Sequence, residues 1–172
     1  WDKRLEKEKE ILFKILKNRK IESALDIGCG TGHHVDFLSK HVKKVVGIDP
    51  SSASIRYAKK EIVKASNARL IVGGYRDLNN LSIGKFDLIL SLGNTLPLAK
   101  TRRKVKLALK HMRKKLNKGG TLVLQFLNFK KSMIEKNSYY KPKVVNYNGK
   151  NYILLKHFEY GRVNTRFDFL IT

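Results

Sequence analysis

Leu25-Asp-Ile-Gly-Cys-Gly-Thr-Gly32, followed by Gly47-Ile-Asp49, decides how this chain folds. Ala24, Leu25 and Ile27 form an apolar run that leads into the glycines, and Val45, Val46 and Ile48 form one that leads to Asp49. Gly28, Gly30 and Gly32 leave the turn nearly bare of side chains. Glycine tolerates both the close approach of a ligand and a positive φ. A strand, a glycine turn, a helix and a second strand tipped by a carboxylate make a βαβ unit. Its carboxylate is placed to accept both hydroxyl hydrogens of a ribose.

Two ribose-bearing ligands compete for that description. A dinucleotide asks for Gly-x-Gly-x-x-Gly, with a pyrophosphate facing the helix N-terminus. Here the spacing is Gly-x-Gly-x-Gly, and Asp26 stands two residues before the first glycine. A carboxylate there repels a pyrophosphate but suits a ligand that carries an ammonium and a sulfonium. Asp26-Ile-Gly-Cys-Gly-Thr-Gly32 with Asp49 resembles the cofactor-binding signature of the class I S-adenosylmethionine-dependent methyltransferases. The resemblance implies cofactor contacts at Asp26, Gly28, Cys29, Gly30 and Gly32, at Asp49 and Pro50, and at Tyr75, Leu92 and Gly93.

The spacing predicts an amphipathic helix over 3–18, with Leu5, Leu12, Ile15 and Leu16 on one stripe. Strands are predicted at 21–27, 44–48, 69–72, 86–90 and 121–127, with helices at 33–41, about 51–65 and 100–116. Residues 73–85 read as irregular. Asn117-Lys-Gly-Gly120 reads as the C-terminal cap of the helix before it. Asn148-Gly149 between Val144–Tyr147 and Tyr152–Phe158 signals a hairpin, and Val163–Leu170 alternates as a last strand. The expected fold is a doubly wound, Rossmann-like α/β sheet of about seven strands, mostly parallel, with a C-terminal antiparallel hairpin. It is expected to form a single domain over 1–172.

Gly93-Asn94-Thr95 after the fourth strand and Leu127-Asn128-Phe129 after the fifth are similar to segments of the glycine/sarcosine N-methyltransferase branch. Asn137-Ser-Tyr-Tyr-Lys141 and the hairpin add to that similarity. The chain departs from the branch where Phe129-Lys130 replaces its Tyr-Asp, and where Gly73-Gly74-Tyr75 offers no acid to an adenine amino group. The resemblance implies a small-molecule acceptor methylated at nitrogen, with Asn94 and Asn128 orienting the nucleophile or a substrate carboxylate. Tyr139 and Tyr140 read as hairpin packing or as a pocket wall. His33 and His34, at the start of their helix, read as solvated side chains, or one of them as facing the methionine end of the cofactor.

Charge leaves other readings open. The 172 residues hold 37 Lys and Arg against 14 acids, a net charge of +23. Residues 1–87 carry 18 basic and 11 acidic side chains, residues 88–172 carry 19 and 3, and no acid lies between Asp87 and Glu135. Such a surface either consists of lysine-rich solvated faces or attracts polyanions, and the latter makes an RNA methyltransferase a second reading. Leu92-Gly-Asn-Thr-Leu-Pro97 lacks the Pro-Pro-Tyr that base amino-methylases use to engage a flipped base. A non-catalytic cofactor-binding subunit is a third reading. No apolar run approaches the ~20 residues of a membrane span, the start shows no signal-peptide pattern, and no metal site is expected. The single cysteine, Cys29, fits a reducing, cytoplasmic setting and reads as a small space-filling residue. The chain opens at Trp1 rather than Met, as a fragment or trimmed chain does. Its oligomeric state is open.

Overall fold

The structure, a computed structural model, describes residues 2–128, 143–147, 150–160 and 165–171. The first elements are α1 (Asp2–Asn18), β1 (Ser23–Ile27), α2 (His33–Ser39), β2 (Lys44–Asp49), α3 (Ser52–Tyr57) and β3 (Ala68–Val72). They are followed by β4 (Phe86–Ser91), α4 (Arg102–Lys115), β5 (Leu116–Leu124), β6 (Lys143–Tyr147), β7 (Lys150–Tyr160) and β8 (Thr165–Ile171). The chain divides into two compact units, Trp1–Phe126 and Leu127–Thr172.

In the first unit five strands pair in parallel in the order β3-β2-β1-β4-β5. Their near-continuous apolar runs are those of strands covered on both faces. Leu12 of α1, Val35 and Leu38 of α2 and Ile55 of α3 cover one face over Ala24, Val45, Leu88 and Leu90. Ala108 and Met112 of α4 cover the other over Leu25, Ile27, Val46, Ile48 and Ile89. The chain steps outward from β1 to β3 and then returns to the far side of β1 with β4. That reversal opens a crevice outside the carboxyl ends of β1 and β4, where ligands of such sheets bind.

Two local expectations need correction. The helix after β2 is regular only to Tyr57 and continues as a wider turn over Ala58–Ile62, closed by the Val63 amide on the Ala58 carbonyl at 2.8 Å. Ala58 and Val63 pack there against the bare Cα of Gly32, which shapes the turn. The glycines after α4 do not cap it. Leu116 is already extended and pairs with Phe86, so Gly119 (φ +76°) and Gly120 form a bulge inside β5 before Thr121 pairs with Leu88. Among the described residues eight strands form a five-stranded parallel sheet and a three-stranded antiparallel sheet ordered β6-β7-β8, which agrees with the expected parallel core and C-terminal hairpin. Tyr147 stands opposite Lys150, the register that the Asn148-Gly149 signal requires. Segment 73–85 is irregular as predicted, with one short turn at Asp77–Asn79. Phe129, Lys130, Tyr139 and Tyr140 lie outside the described residues.

At the edge opposite the crevice, Asp87 ties three strands together. Its Oδ2 accepts from the Glu22 and Ser23 amides at 3.0 Å each and from Ser23 Oγ at 2.9 Å; its Oδ1 accepts from Asn117 Nδ2 at 2.7 Å. Burial pushes this carboxyl up, but the hydrogen bonds from Asn117, Ser23 and the two amides outweigh it and hold it below the usual range. A depressed carboxyl stabilises the fold above its unfolded pKa, and that contribution is lost as pH falls through the folded one. Asp87→Ala strands those donors and should cost roughly 1–3 kcal/mol in urea denaturation at pH 7. The difference from the parent chain should shrink below about pH 4; an unchanged midpoint at neutral pH contradicts this role.

Candidate functional site

The glycine turn is built against its neighbours on one side and left open on the other. The Gly28 and Cys29 amides donate to the Ile48 carbonyl at 2.8 and 3.0 Å, which locks the turn to β2. Gly28 has φ +79°, and a Cβ there would lie 2.2 Å from Thr95 Cγ2. Gly30 has φ +53°, yet a Cβ there would meet nothing within 4 Å. Gly28 is therefore bare because Thr95 packs on it. Gly30 is bare because its backbone is left-handed, and its outer side stays open to a ligand.

Asp49 holds this arrangement at the tip of β2. Its Oδ2 accepts from the Gly30 amide at 2.9 Å and its Oδ1 from the Ser51 amide at 2.8 Å. A carboxylate has about four lone-pair sites, so two remain for hydroxyl donors.

Under the turn lies an acidic floor. Asp26 is 1% exposed, and its Oδ2 has no hydrogen-bond partner. His34 is not solvated, contrary to expectation. Its Nε2 sits 3.1 Å from Glu8 Oε2, and its Nδ1 lies 4.0 Å from Asp26 Oδ2, beyond hydrogen-bond reach. Glu8 of α1 is itself buried, with Arg4 Nε 3.3 Å from its other oxygen. Burial, then the charges of Asp49 and Glu8, push the Asp26 carboxyl up to about 7. Burial lowers His34 against the pull of Glu8. Burial also pushes the Cys29 thiol up, which makes it an inert filler rather than a nucleophile. Glu8 and Arg4 escape sequence reading because α1 carries no motif. Only packing of α1 through Leu12 brings Glu8 to the turn.

The ends of β3 and β4 complete the crevice. Tyr75 Oη and Ser91 Oγ are 2.7 Å apart, and the Tyr75 carbonyl accepts from His111 Nδ1 at 2.8 Å. Burial keeps Tyr75 neutral, its hydroxyl pushed up to about 12. Gly93 and Asn94 are both left-handed, at φ +64° and +69°. Gln125 fixes them: its Oε1 accepts from the Gly93 amide at 2.8 Å and its carbonyl from the Asn94 amide at 3.3 Å. Leu92 is buried beside them, and Pro50 is exposed. Pro50, Gly28, Tyr75, Thr95 and Ala108 line a cleft of about 450 Å³ whose walls are mainly apolar. Such a cleft suits a flat nucleobase. Asp77, the nearest acid, accepts from the Gly74 amide at 2.8 Å. Asn128 is exposed and belongs to the second unit. Among the described residues there is no metal-ligating cluster, and no helix is long and apolar enough to cross a membrane.

Residues 24–120, more than half of the chain, match the methyltransferase domain family. The chain belongs to the class I S-adenosylmethionine-dependent methyltransferases. Among curated proteins, this methyltransferase is 34% identical to the tRNA U34 carboxymethyltransferase of Actinobacillus succinogenes, over 61% of the chain and 32% of that protein. It is 28% identical to the glycine/sarcosine N-methyltransferase of Parasynechococcus marenigrum, over 75% of the chain and 46% of that protein. The chain thus spans less than half the length of both. Among solved structures it resembles DesVI of Streptomyces venezuelae (TM-score 0.78, 20% identity, 98% of this chain and 75% of that one). CalS10, an amino pentose methyltransferase of Micromonospora echinaspora with S-adenosylmethionine bound, gives TM-score 0.77 at 21% identity, with the same coverage. At such identities the likeness is one of fold.

The donor set fits S-adenosylmethionine. Gly30 leaves the space a Cβ would fill, Asp49 retains acceptor sites, and the orphaned Asp26 oxygen faces a deficit that a cation relieves. When bound, the cofactor supplies a methyl group on an electrophilic sulfonium. Asp26 must ionise to attract a cation, so ligand binding should release a proton. In the ligand-free chain the raised carboxyl favours folding at low pH, and that contribution disappears as pH rises through about 7. Affinity for S-adenosylhomocysteine, whose ammonium remains, should therefore rise about tenfold from pH 6 to 8. Asp26→Asn should abolish that rise. Calorimetry across this range checks it, and an identical pH profile in both proteins contradicts the assignment.

Proposed function

We propose that this chain transfers a methyl group from S-adenosylmethionine to a nitrogen atom of a small molecule, with residues 1–172 acting as one domain in a reducing, cytoplasmic setting. The observation that carries this reading is the tie of Gly93 and Asn94 to Gln125 across β4 and β5. It holds a polar loop at the crevice without installing a strong base. A neutral amine needs none, because its own lone pair forms the new bond and the proton it then carries leaves to water. What it needs is alignment, and orientation at ~3–3.5 Å supplies much of the rate enhancement. Asn94 orients the nucleophile or a substrate carboxylate, as does Asn128, and the Tyr75–Ser91 pair stays neutral at the crevice. The similarity to a glycine/sarcosine N-methyltransferase supports a nitrogen acceptor. The tRNA carboxymethyltransferase relatives and the basic second half support a second reading, an RNA acceptor.

Incubation with S-adenosylmethionine and a panel of primary and secondary amines, amino acids and amino sugars tests this. S-adenosylhomocysteine should form with at least one amine and not with its hydroxyl analogue. Turnover only when RNA is supplied contradicts the small-molecule reading. Asn128→Ala should lower kcat about tenfold or more while leaving cofactor affinity within about twofold; equal loss of both contradicts a substrate-side role.

A further inference from the structure

The ion pairs of this domain are segregated. Among the described residues they join Arg4 and His34 to Glu8, His34 to Asp26, Lys40 to Asp36, Lys43 to Glu22 and Lys60 to Glu61. All lie in the first 61 residues, in α1, α2, β1 and the turn after α3, with Lys43–Glu22 at the edge opposite the crevice. The α4 side has none. Yet Arg102, Arg103, Lys106, Lys110, Arg113 and Lys114 stand exposed along α4, and the stretch from Asp87 to Glu135 holds no acid to neutralise them. Positions 103, 106, 110, 113 and 114 recur at helical spacing and form one stripe.

Cations from other elements extend the stripe at both ends. At its N-terminal end, Arg76 after β3, Lys100 after β4 and Lys104 of α4 ring the cleft that reaches Gly28, three cations against one acid, Asp77, which accepts from the Gly74 amide. At its C-terminal end, Lys85 ahead of β4 joins Lys114 and Lys115 around a second notch, shared with Asn79 and Gly84. Lys115 is committed to the Leu81 carbonyl at 2.7 Å, but no described residue pairs with Lys85, Arg76 or the side chains of Lys100 and Lys104. Lys104 and Lys114 lie about 15 Å apart along the helix axis, roughly the reach of four phosphates along one stacked strand.

We infer that the outer face of α4, from the Arg76–Lys100–Lys104 cleft to the Lys85–Lys114 notch, binds the phosphodiester backbone of a single-stranded RNA. The stripe carries no aromatic side chain, so bases have nothing there to stack on. Binding is to phosphates, tolerant of sequence and steeply dependent on salt. The inference concerns binding alone and does not depend on which acceptor is methylated.

Fluorescence anisotropy with a labelled 20-nucleotide RNA tests it between 50 and 200 mM salt. The quadruple variant Lys106→Gln, Lys110→Gln, Arg113→Gln and Lys114→Gln should bind at least about tenfold more weakly at 50 mM. The slope of log affinity against log salt should fall by about 3. A matched variant of exposed α1 lysines, Lys3→Gln, Lys7→Gln, Lys14→Gln and Lys17→Gln, removes the same charge and should stay within about threefold. The single change Lys110→Ala should reduce the slope by about 1, a smaller step in the same direction. Retained S-adenosylhomocysteine binding shows that the α4 variants are folded. Equal loss in the α1 variant, or no binding by the parent chain at 50 mM salt, overturns the inference. So does tighter capture by phosphatidylserine vesicles than by RNA.

Discussion

The Gly30 amide lies 2.9 Å from a carboxylate oxygen of Asp49, and the rest of the site depends on that contact. It joins the turn after β1 to the tip of β2 and sets both beside the crevice. The contact forces Gly30 into a left-handed backbone, and Thr95 closes over Gly28 from the β4 side. A side chain at Gly28 would collide with Thr95, whereas Gly30 is required only by its left-handed backbone. The same carboxylate keeps lone pairs free for hydroxyl donors of a ligand in the crevice.

Beneath that contact the molecule keeps a buried, under-satisfied acid. An ionised carboxylate away from water is costly, and Asp26 answers by holding its proton to about pH 7. Glu8 adds a second buried acid, with His34 between the two. The floor is stable when protonated or when a cation lies above it. That is a site in which affinity arises from relief of a cost already present in the free protein. Cys29, in the same turn, contributes only its small size.

Much of this was legible in the sequence because short-range signals carried it. The apolar runs of β1, β2 and β4 and the glycines between them leave little alternative to a parallel sheet with its ligand at the carboxyl edge. The register across Asn148-Gly149 was legible for the same reason. Long-range packing was not. Glu8 reaches the turn only because α1 docks through Leu12, and His34 is buried only because Glu8 arrives. The glycines at 119 and 120 look like a helix cap in one dimension. In the sheet, Leu116 already pairs with Phe86, which turns them into a bulge. The ionic asymmetry was half visible: the sequence shows the missing acids, but only the fold shows that no described acid pairs with the cations of α4.

The account stands or falls on Asp49 as the residue that both closes the turn and holds the ribose. The direct test is calorimetric titration of the parent chain and Asp49→Ala with S-adenosylhomocysteine at pH 8. Loss of hydrogen bonds to a charged acceptor predicts affinity lower by on the order of a hundredfold in the variant. Affinities within twofold of each other would contradict it.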